Sequence, residues 1–345
     1  MKVLVTGGMG FIGSHVAEFY AKRGAEVVCV DNLSRAELLK RQSVVNPIYN
    51  HDYLERNFPS VKLIKQDVRD FGALLPLMQD VDLIVHTAAQ TAVTTSVTDP
   101  GQDFTVNAQG TFNVLEAARR SDSNPAIVYC STNKVYGDNV NTVPVSEEDT
   151  RYRFADRAGI TEVFSIDRCE HTPYGCSKLT GDLYVQDYGH LYGLRTGVFR
   201  MSCIYGTRQL GVADQGWVMW FTLATLSGQP LTIFGDGKQV RDVLYVTDLV
   251  EAYDAFYNST LRQGVFNTGG GPDNTLSLLE LLDILKELTG IQSELSFADW
   301  RPSDQKVYIS DLSRIRDTLG WTPKIGPREG MERIVEWART LSMGE

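Results

Sequence analysis

The chain is short of positive charge. Against 43 Asp and Glu it carries 33 Lys and Arg, a formal charge of −10 over 345 residues. That balance argues against nucleic acid as a partner, because such binding is driven by neutralisation of phosphates. An anionic ligand would need a local cluster of arginines. Cysteine is scarce too: Cys29, Cys130, Cys169, Cys176 and Cys203 make an odd number with no C-x-x-C. Reduced thiols are expected rather than a disulfide framework. The five histidines, His15, His51, His86, His171 and His190, form no local metal-ligand pattern with them, so no metal is expected. No apolar run is long enough to span a bilayer, and "MKVLVTGG" reads as a strand and turn rather than a secretory leader. A cytoplasmic protein without membrane contact is the expectation. Repeats, low-complexity tracts, charge blocks and Gly/Ser linkers are also missing.

What is present is alternation. "KVLVTG", "EVVCVD", "VKLIKQD", "DLIVHTAA" and "AIVYCST" are short runs rich in β-branched residues. Helix-like stretches separate most of them. Continuous apolar strands of this kind fit a parallel sheet covered on both faces. The expectation is an α/β fold: a Rossmann-type doubly wound parallel sheet with a smaller C-terminal α/β substrate lobe. The nucleotide-binding domain is placed at 1–199, with later returns near 239–269, and the second lobe at 200–238 and 270–345. Residues 32–60 read as an extended connection with one short helix. "SLLELLDILKELTG" reads as an amphipathic helix opened by a Ser277/Glu280 capping box and closed by Gly290.

"VTGGMGFIGSH" follows the first strand and opens a helix. Gly7, Gly10 and Gly13 are spaced for a dinucleotide turn: a tight bend, close approach to pyrophosphate, and close helix packing, with the helix N-terminus facing the phosphates. Phe11 and Ile12 belong to the same turn. Asp31 ends the second strand, where an acid accepts from the adenosine ribose hydroxyls and repels a 2′-phosphate, so NAD is preferred over NADP. Asn32, Ser34 and Arg35 follow it. Asp67 and Val68 fall where the adenine edge would lie. Thr87, Ala88, Ala89 and Gln90 supply small residues beside a passing cofactor.

"HTPYGCSK" places Tyr174 and Lys178 four residues apart, on one helix face. A nearby ammonium favours a phenolate, which makes Tyr174 a candidate base. Thr132, at the end of the fifth strand, lies at the carboxyl edge of the sheet, where ligands of open α/β sheets bind. A hydroxyl, a phenol and a lysine are thus expected to converge on one place.

"TGGMGFIG", "STNKVYG", "YGCSK", "GDGKQVRDVLYVTDL" and "RPSDQK" together resemble the extended short-chain dehydrogenase/reductase (NAD-dependent epimerase/dehydratase) superfamily, over nearly the whole chain. The resemblance implies that Tyr174 is the catalytic base, that Lys178 lowers its pKa and holds the nicotinamide ribose, and that Thr132 bridges substrate and phenol. It also implies Met201 as a cofactor contact. The 4,6-dehydratases of this superfamily carry an Asp-Glu pair after the catalytic Thr. Here Asn133 and Lys134 stand there, which disfavours elimination. "STNKVYGD", "TRY", "HTPYGCSK", "YGTRQ" and "SDQKVYISDL" look most like the CDP-paratose (CDP-tyvelose) 2-epimerases. Cys203, in "MSCIYG", departs from the Asn of many 4-epimerase relatives. Residues 36–60 depart from the continuation expected after "DNLSR".

That resemblance implies epimerisation at C2 of a CDP-hexose, CDP-paratose/CDP-tyvelose or CDP-glucose/CDP-mannose, by transient oxidation to a 2-keto sugar with NAD and hydride return to the opposite face. Arg241 and Arg301 are the diphosphate candidates, since arginine grips phosphate bidentately. Arg208, Gln215, Trp217, Val218, Phe234, Ser202 and Cys203, with Thr132, Asn133 and Lys134, complete the expected substrate set. Asp304 and Gln305 are expected to brace Arg301, and residues 142–170 to form a loop over the sugar. A homodimer through helices near 103–120 and 174–192 is implied by resemblance. Two alternatives stand beside this reading: a UDP-sugar 4-epimerase of the same superfamily, and a non-catalytic NAD-sensing Rossmann regulator.

Overall fold

The computed structural model describes residues 1–41, 46–213, 215–301 and 304–342. Residues 42–45 of the 36–60 segment, and residues 214 and 302–303 of the "DQGWV" and "RPSDQK" stretches, lie outside the described set. The chain forms two compact units, each described by itself. The first comprises 1–135, 172–200 and 250–266, and the second 136–171, 201–249 and 267–345.

The first unit is built on a seven-stranded sheet. Its strands are β1 (Lys2–Thr6), β2 (Glu26–Asp31), β3 (Lys62–Lys65), β4 (Leu83–His86), β5 (Ala126–Thr132), β6 (Arg195–Met201) and β7 (Gln263–Thr268), in the order β7-β6-β5-β4-β1-β2-β3. β1 pairs in parallel with both β2 and β4, and the parallel run continues to β3 and β5. The chain direction of winding reverses at β1, the point where doubly wound sheets take their ligands. The apolar runs form these strands because both faces are covered: all seven residues of β5 and all four of β4 are buried. The core on one side gathers Leu4, Val28, Ile84, Val114, Ile127 and Val185. The fold is therefore the expected Rossmann type with a smaller C-terminal α/β lobe.

Helices α1 (Phe11–Ala21), α2 (Ser34–Arg41), α3 (Tyr49–Asn57), α4 (Gly110–Arg120) and α5 (Thr172–Tyr192) flank this sheet. The 32–60 stretch differs from the reading as an extended connection with one short helix: it holds two helices, α2 and α3. Asp52 and Arg56 at opposite ends of α3 suit the helix dipole, a signal that the aromatic and proline content obscured. Just before α4, Thr105–Gln109 takes a π-helical turn.

The second unit contains a small sheet in which Val240–Tyr245 is flanked by Thr275–Ser277 and Val307–Tyr308, with Cys203–Tyr205 pairing in parallel. Leu231–Phe234 pairs in parallel with Leu295–Ala298. Helix Leu278–Thr289 starts at the Ser277/Glu280 capping box and ends at left-handed Gly290, as its sequence implies. Residues 136–171 belong to this unit, not to the nucleotide-binding domain to which the sequence division assigned them. They carry an antiparallel hairpin, Val145–Glu147 with Tyr152–Phe154, and Arg151 is tied to Glu280.

Candidate active site

The glycine turn is shaped by contacts that leave no room for a side chain. Gly7 has φ +68°, and its N–H donates to Val30 O at 2.7 Å. A Cβ on Gly13 would sit 2.1 Å from Gly7 O, and one on Gly7 would sit 2.7 Å from Ala88 N. Gly10 caps α1 with no side-chain hydrogen bond, and no acid lies in the first turn. The first-turn N–H groups of α1, which include those of Phe11 and Ile12, therefore face outward uncapped, which suits a pyrophosphate. Thr87 Oγ1 donates to Thr6 O (2.8 Å) and Gly7 O (3.2 Å), locking the β4 end against this turn. These residues fit a dinucleotide.

Asp31 accepts from Met9 N–H at 3.1 Å and Leu33 N–H at 2.8 Å, and burial raises its pKa. It thus braces the turn as well as ending β2. Asn32 Nδ2 donates to Asp67 at 2.8 Å, and Asn32 Oδ1 accepts from Ser34 N–H. Asp67 is further gripped by Arg69 at 2.9 and 2.7 Å, which holds its carboxyl well below the usual range. Val68 is buried against the position a Cβ of Gly110 would take. Burial pushes Arg35 down to about 10.

The reacting set lies in the same unit. The Thr132 hydroxyl lies near enough to the Tyr174 phenol to lower its pKa, and Lys178 follows one turn along α5. Lys178 is buried, its ammonium 4.3 Å from the Tyr129 ring centroid. Enclosure by protein pushes the Tyr174 phenol up to about 12, with the nearby Thr132 hydroxyl opposing. The same cause pushes Lys178 down to about 8, opposed by Cys130, Asp182 and Asp103. Asn133 is buried beside Thr132, 3.3 Å from its hydroxyl, and Lys134 N–H donates to that hydroxyl at 3.3 Å. No acid follows Thr132 directly.

Residues that pattern reading missed hold this set in place. Tyr174 N–H donates to Ser96 Oγ at 3.1 Å. Asn107 bridges Asp103, Ser177 and the Gln90 carbonyl at 3.1, 3.0 and 3.0 Å. The one available signal was Asp103 and Asn107, four apart in a stretch otherwise read as a plain helix.

The arginines are in the second unit. The Arg301 guanidinium lies 4.0 Å from the Phe234 ring centroid. Arg241 pairs with Asp304 at 2.8 Å. The expectation that Asp304 braces Arg301 is corrected: its carboxylate reaches Arg241, and only its backbone N–H meets Arg301 O, at 3.2 Å. Gln305 instead donates to Gly137 O at 3.1 Å. A cavity of about 450 Å³ is walled by 140–145, Trp300, Asp304, Lys306 and Val307. Cys203 takes a hydrogen bond from Trp217, and burial pushes its thiol up to about 12. Ser202 Oγ donates to Asp242. Arg208 is buried with φ +64°, Val218 is buried in the helix Trp217–Leu226, and Gln215 bridges Val212. Met201 is half-buried at the end of β6. On α3, His51, Asp52 and Glu55 lie within 4.8 Å of one another on a partly exposed face, where His51 bonds Asp52 at 3.0 Å.

Residues 3–269 match the family model described as the NAD dependent epimerase/dehydratase family. A CDP-paratose 2-epimerase of Salmonella typhi is 39% identical over 99% of this chain and 100% of its own. A putative UDP-glucose 4-epimerase of Methanocaldococcus jannaschii is 31% identical over 98% of each. The UDP-glucuronic acid 4-epimerase of Bacillus cereus, solved with UDP-glucuronic acid and NAD, superposes with a TM-score of 0.81 at 27% identity, covering 99% of this chain and 100% of that one. UDP-sugar 4-epimerases recur among the other similar sequences and structures. With its glycine turn, its Thr132–Tyr174–Lys178 set and these full-length likenesses, the chain belongs to the NAD-dependent epimerase/dehydratase family.

Proposed function

We propose that the chain is an NAD-dependent epimerase of a nucleotide sugar. The observation that carries this is the Thr132 hydroxyl set near enough to the Tyr174 phenol to lower its pKa, with Lys178 one turn away, in a chain with no acid directly after Thr132. Tyr174 removes the proton of a sugar hydroxyl and later returns it. Thr132 relays or orients that hydroxyl, and Lys178 supplies positive charge to the developing phenolate. NAD, held at the glycine turn with Asp31 and Lys178 on its riboses, supplies a hydride acceptor and a positively charged ring. Arg241 and Arg301 hold the diphosphate, and Phe234 offers an aromatic face to the base. The keto sugar turns over before reduction, so one centre is inverted without net redox.

Two readings of which centre is inverted are supported by different observations. The recurrence of UDP-sugar 4-epimerases among similar sequences and structures favours C4 of a UDP-sugar. C2 of a CDP-hexose is favoured by one relative of higher identity and by Cys203. Incubation with UDP- and CDP-hexoses without added NAD, followed by product NMR, decides between them. Inversion at C4 with uracil preference establishes the first, and inversion at C2 with cytosine preference the second. No turnover of any nucleotide sugar, with NAD bound, would leave the NAD-sensing regulator.

We further propose a homodimer through α4 and α5, whose Phe112, Leu183, Tyr184, Leu191 and Tyr192 are 39–68% exposed. No helix among the described residues is long and apolar enough to cross a membrane. A cytoplasmic site of action suits a nucleotide-sugar substrate.

A further inference from the structure

Next to α5 lies a buried carboxylate to which the reaction above gives no part. Asp103, on the short helix Pro100–Phe104, is 1% exposed. Its neighbours dictate an acceptor there. The Gln90 side-chain carbonyl takes Ala92 N–H at 2.6 Å, and the Asn107 side-chain carbonyl takes Gln90 N–H at 2.8 Å. Each amide is thereby fixed with its NH₂ on the far side. Both NH₂ groups donate to one oxygen, Asp103 Oδ1, at 2.8 and 3.1 Å. The second oxygen, Oδ2, is buried without a hydrogen bond. Asn107 Nδ2 also donates to the Ser177 hydroxyl at 3.0 Å, that hydroxyl donates to Tyr174 O at 3.1 Å, and Ser177 precedes Lys178 directly.

Burial raises the Asp103 pKa, and the charge of Lys178 is among the groups that oppose that rise. The groups facing this region are Tyr174, Lys178 and Asp182 on α5, Tyr129 and Cys130 on β5, and His86 on β4. Asp182 is already held by Arg200 at 3.0 and 3.1 Å. Cys130 is a thiol bonded to Tyr253. That leaves Asp103 as the carboxylate within electrostatic reach of Lys178 that no arginine engages.

We propose that Asp103 is a positioning residue: its negative charge keeps Lys178 an ammonium beside Tyr174, and its bonds through Asn107 and Ser177 fix the first turn of α5. The proposal rests on the reading of Tyr174 and Lys178 given above. Removing the anion makes both the ammonium and the phenol easier to deprotonate. Asp103→Asn isolates the charge, because its amide oxygen accepts from Gln90 and Asn107 while its NH₂ takes the place of Oδ2. Asp103→Ser is a second neutral variant, and Asp103→Glu retains the charge.

Two readouts apply. One is the phenolate absorbance of Tyr174 on protein without substrate, with the matching Tyr174→Phe protein subtracted. The other is the pH profile of kcat/KM for epimerisation. In the neutral variants both limbs of the profile, and the phenolate titration, move about one unit toward acid, while Asp103→Glu stays nearer the parent. Folded neutral variants with unshifted titration and limbs would overturn the proposal. Loss of the fold in both neutral variants would overturn it too, by making the carboxylate purely structural. Because the titration needs no substrate, failure to epimerise any nucleotide sugar counts against the functional reading alone.

Discussion

The Lys178 ammonium stands 4.3 Å from the centroid of the Tyr129 ring, a buried cation over a buried aromatic face. The same tyrosine hydroxyl donates to Lys178 O at 3.3 Å, so ring and lysine are fixed together. Gly181 makes this possible: a Cβ there would fall 2.3 Å from the Tyr129 hydroxyl. Burial depresses Lys178 from 10.5 to about 8, so turnover is expected to fall as pH rises through about 8. Stability moves the other way. Between about 8 and 10.5 the unfolded chain holds a proton that the folded one has lost, and this group's contribution to stability rises with pH. Tyr129→Leu removes a cation–π term of about 1–2 kcal/mol, which moves the alkaline limb of kcat/KM toward acid by about one unit. A pH–rate profile with an unmoved limb would remove Tyr129 from any part in holding the charge.

Tyr174→Phe leaves the ring and deletes the proton-transfer group. The expected result is a fall in kcat of about 10²–10⁴-fold, with bound NAD retained and little change in the melting temperature. Thr132→Val deletes the hydroxyl near Tyr174 while keeping the β-branched shape that the fully buried β5 requires. Its effect on kcat should be smaller than that of Tyr174→Phe, with an acid limb displaced toward alkaline pH, because the Thr132 hydroxyl lowers the phenol pKa. Single-turnover kinetics on both variants check the order. Equal turnover of Tyr174→Phe and parent would leave the phenol without a catalytic part.

Much of this was legible in the sequence because it depends on local order. The glycine turn reads from strand, turn and helix in register. The Tyr174–Lys178 pair reads from i,i+4 spacing, and the helix at Leu278 from its capping box. What was not legible depends on contacts between distant segments. The sequence does not say that Asp304 reaches Arg241 rather than Arg301, since Arg301 shares its motif while Arg241 lies 63 residues away. Nor does it say that Gln90, Asp103, Asn107 and Ser177 converge, because three elements far apart in the chain must first be packed. The second helix of the 32–60 stretch was hidden by its prolines and aromatics, which read as a loop although Leu54 and Asn50 are buried beneath it.

Arg241 is positioned by Asp304 at 2.8 Å and by its own Nη1–H, which donates to Val240 O at 2.8 Å. Arg301 is stacked on Phe234 instead. The two should therefore fail differently. Arg241→Ala and Asp304→Ala are expected to raise KM for the nucleotide sugar together, by about 10-fold or more, with kcat less affected. Arg301→Lys keeps the charge but loses the planar stack and the bidentate grip, so KM rises there too. Phe234→Leu should reproduce part of that loss. Initial-rate measurements over substrate concentration separate the terms. If Asp304→Ala left KM unchanged while Arg241→Ala raised it, the ion pair would have no part in binding.

The exposed aromatic and aliphatic side chains of α4 and α5 form one continuous face, with Phe112 and Tyr184 in edge contact at 6.0 Å. A charge placed at the centre of such a face is costly in a dimer and harmless in a monomer. Tyr184→Glu combined with Leu191→Glu is expected to give a monomer by ultracentrifugation at micromolar protein, with the fold retained. A parent chain that is itself monomeric at that concentration would dispose of the dimer.

His86 gives the fold an acid limit. Thr111 donates its one hydroxyl proton to Asn107 O at 2.6 Å. The His86 Nε2, 2.9 Å from that hydroxyl, must therefore donate to it, and Nδ1 accepts from Thr6 Oγ1 at 2.6 Å. The imidazole is neutral, with both nitrogens engaged and no place for a second proton. Burial, with Lys178 adding, depresses its pKa from 6.5 to about 3. Below about 6.5 the unfolded chain binds a proton that the folded chain refuses, so stability falls as pH drops from 6.5 toward 3. At the lower end this one group accounts for about 4 kcal/mol. His86→Gln keeps a donor and an acceptor without titrating. It should be less stable than the parent at pH 7 yet show a flatter dependence of unfolding midpoint on pH between 6.5 and 4. Parallel pH dependences in denaturant titrations of the two proteins would mean that the acid sensitivity comes from other groups.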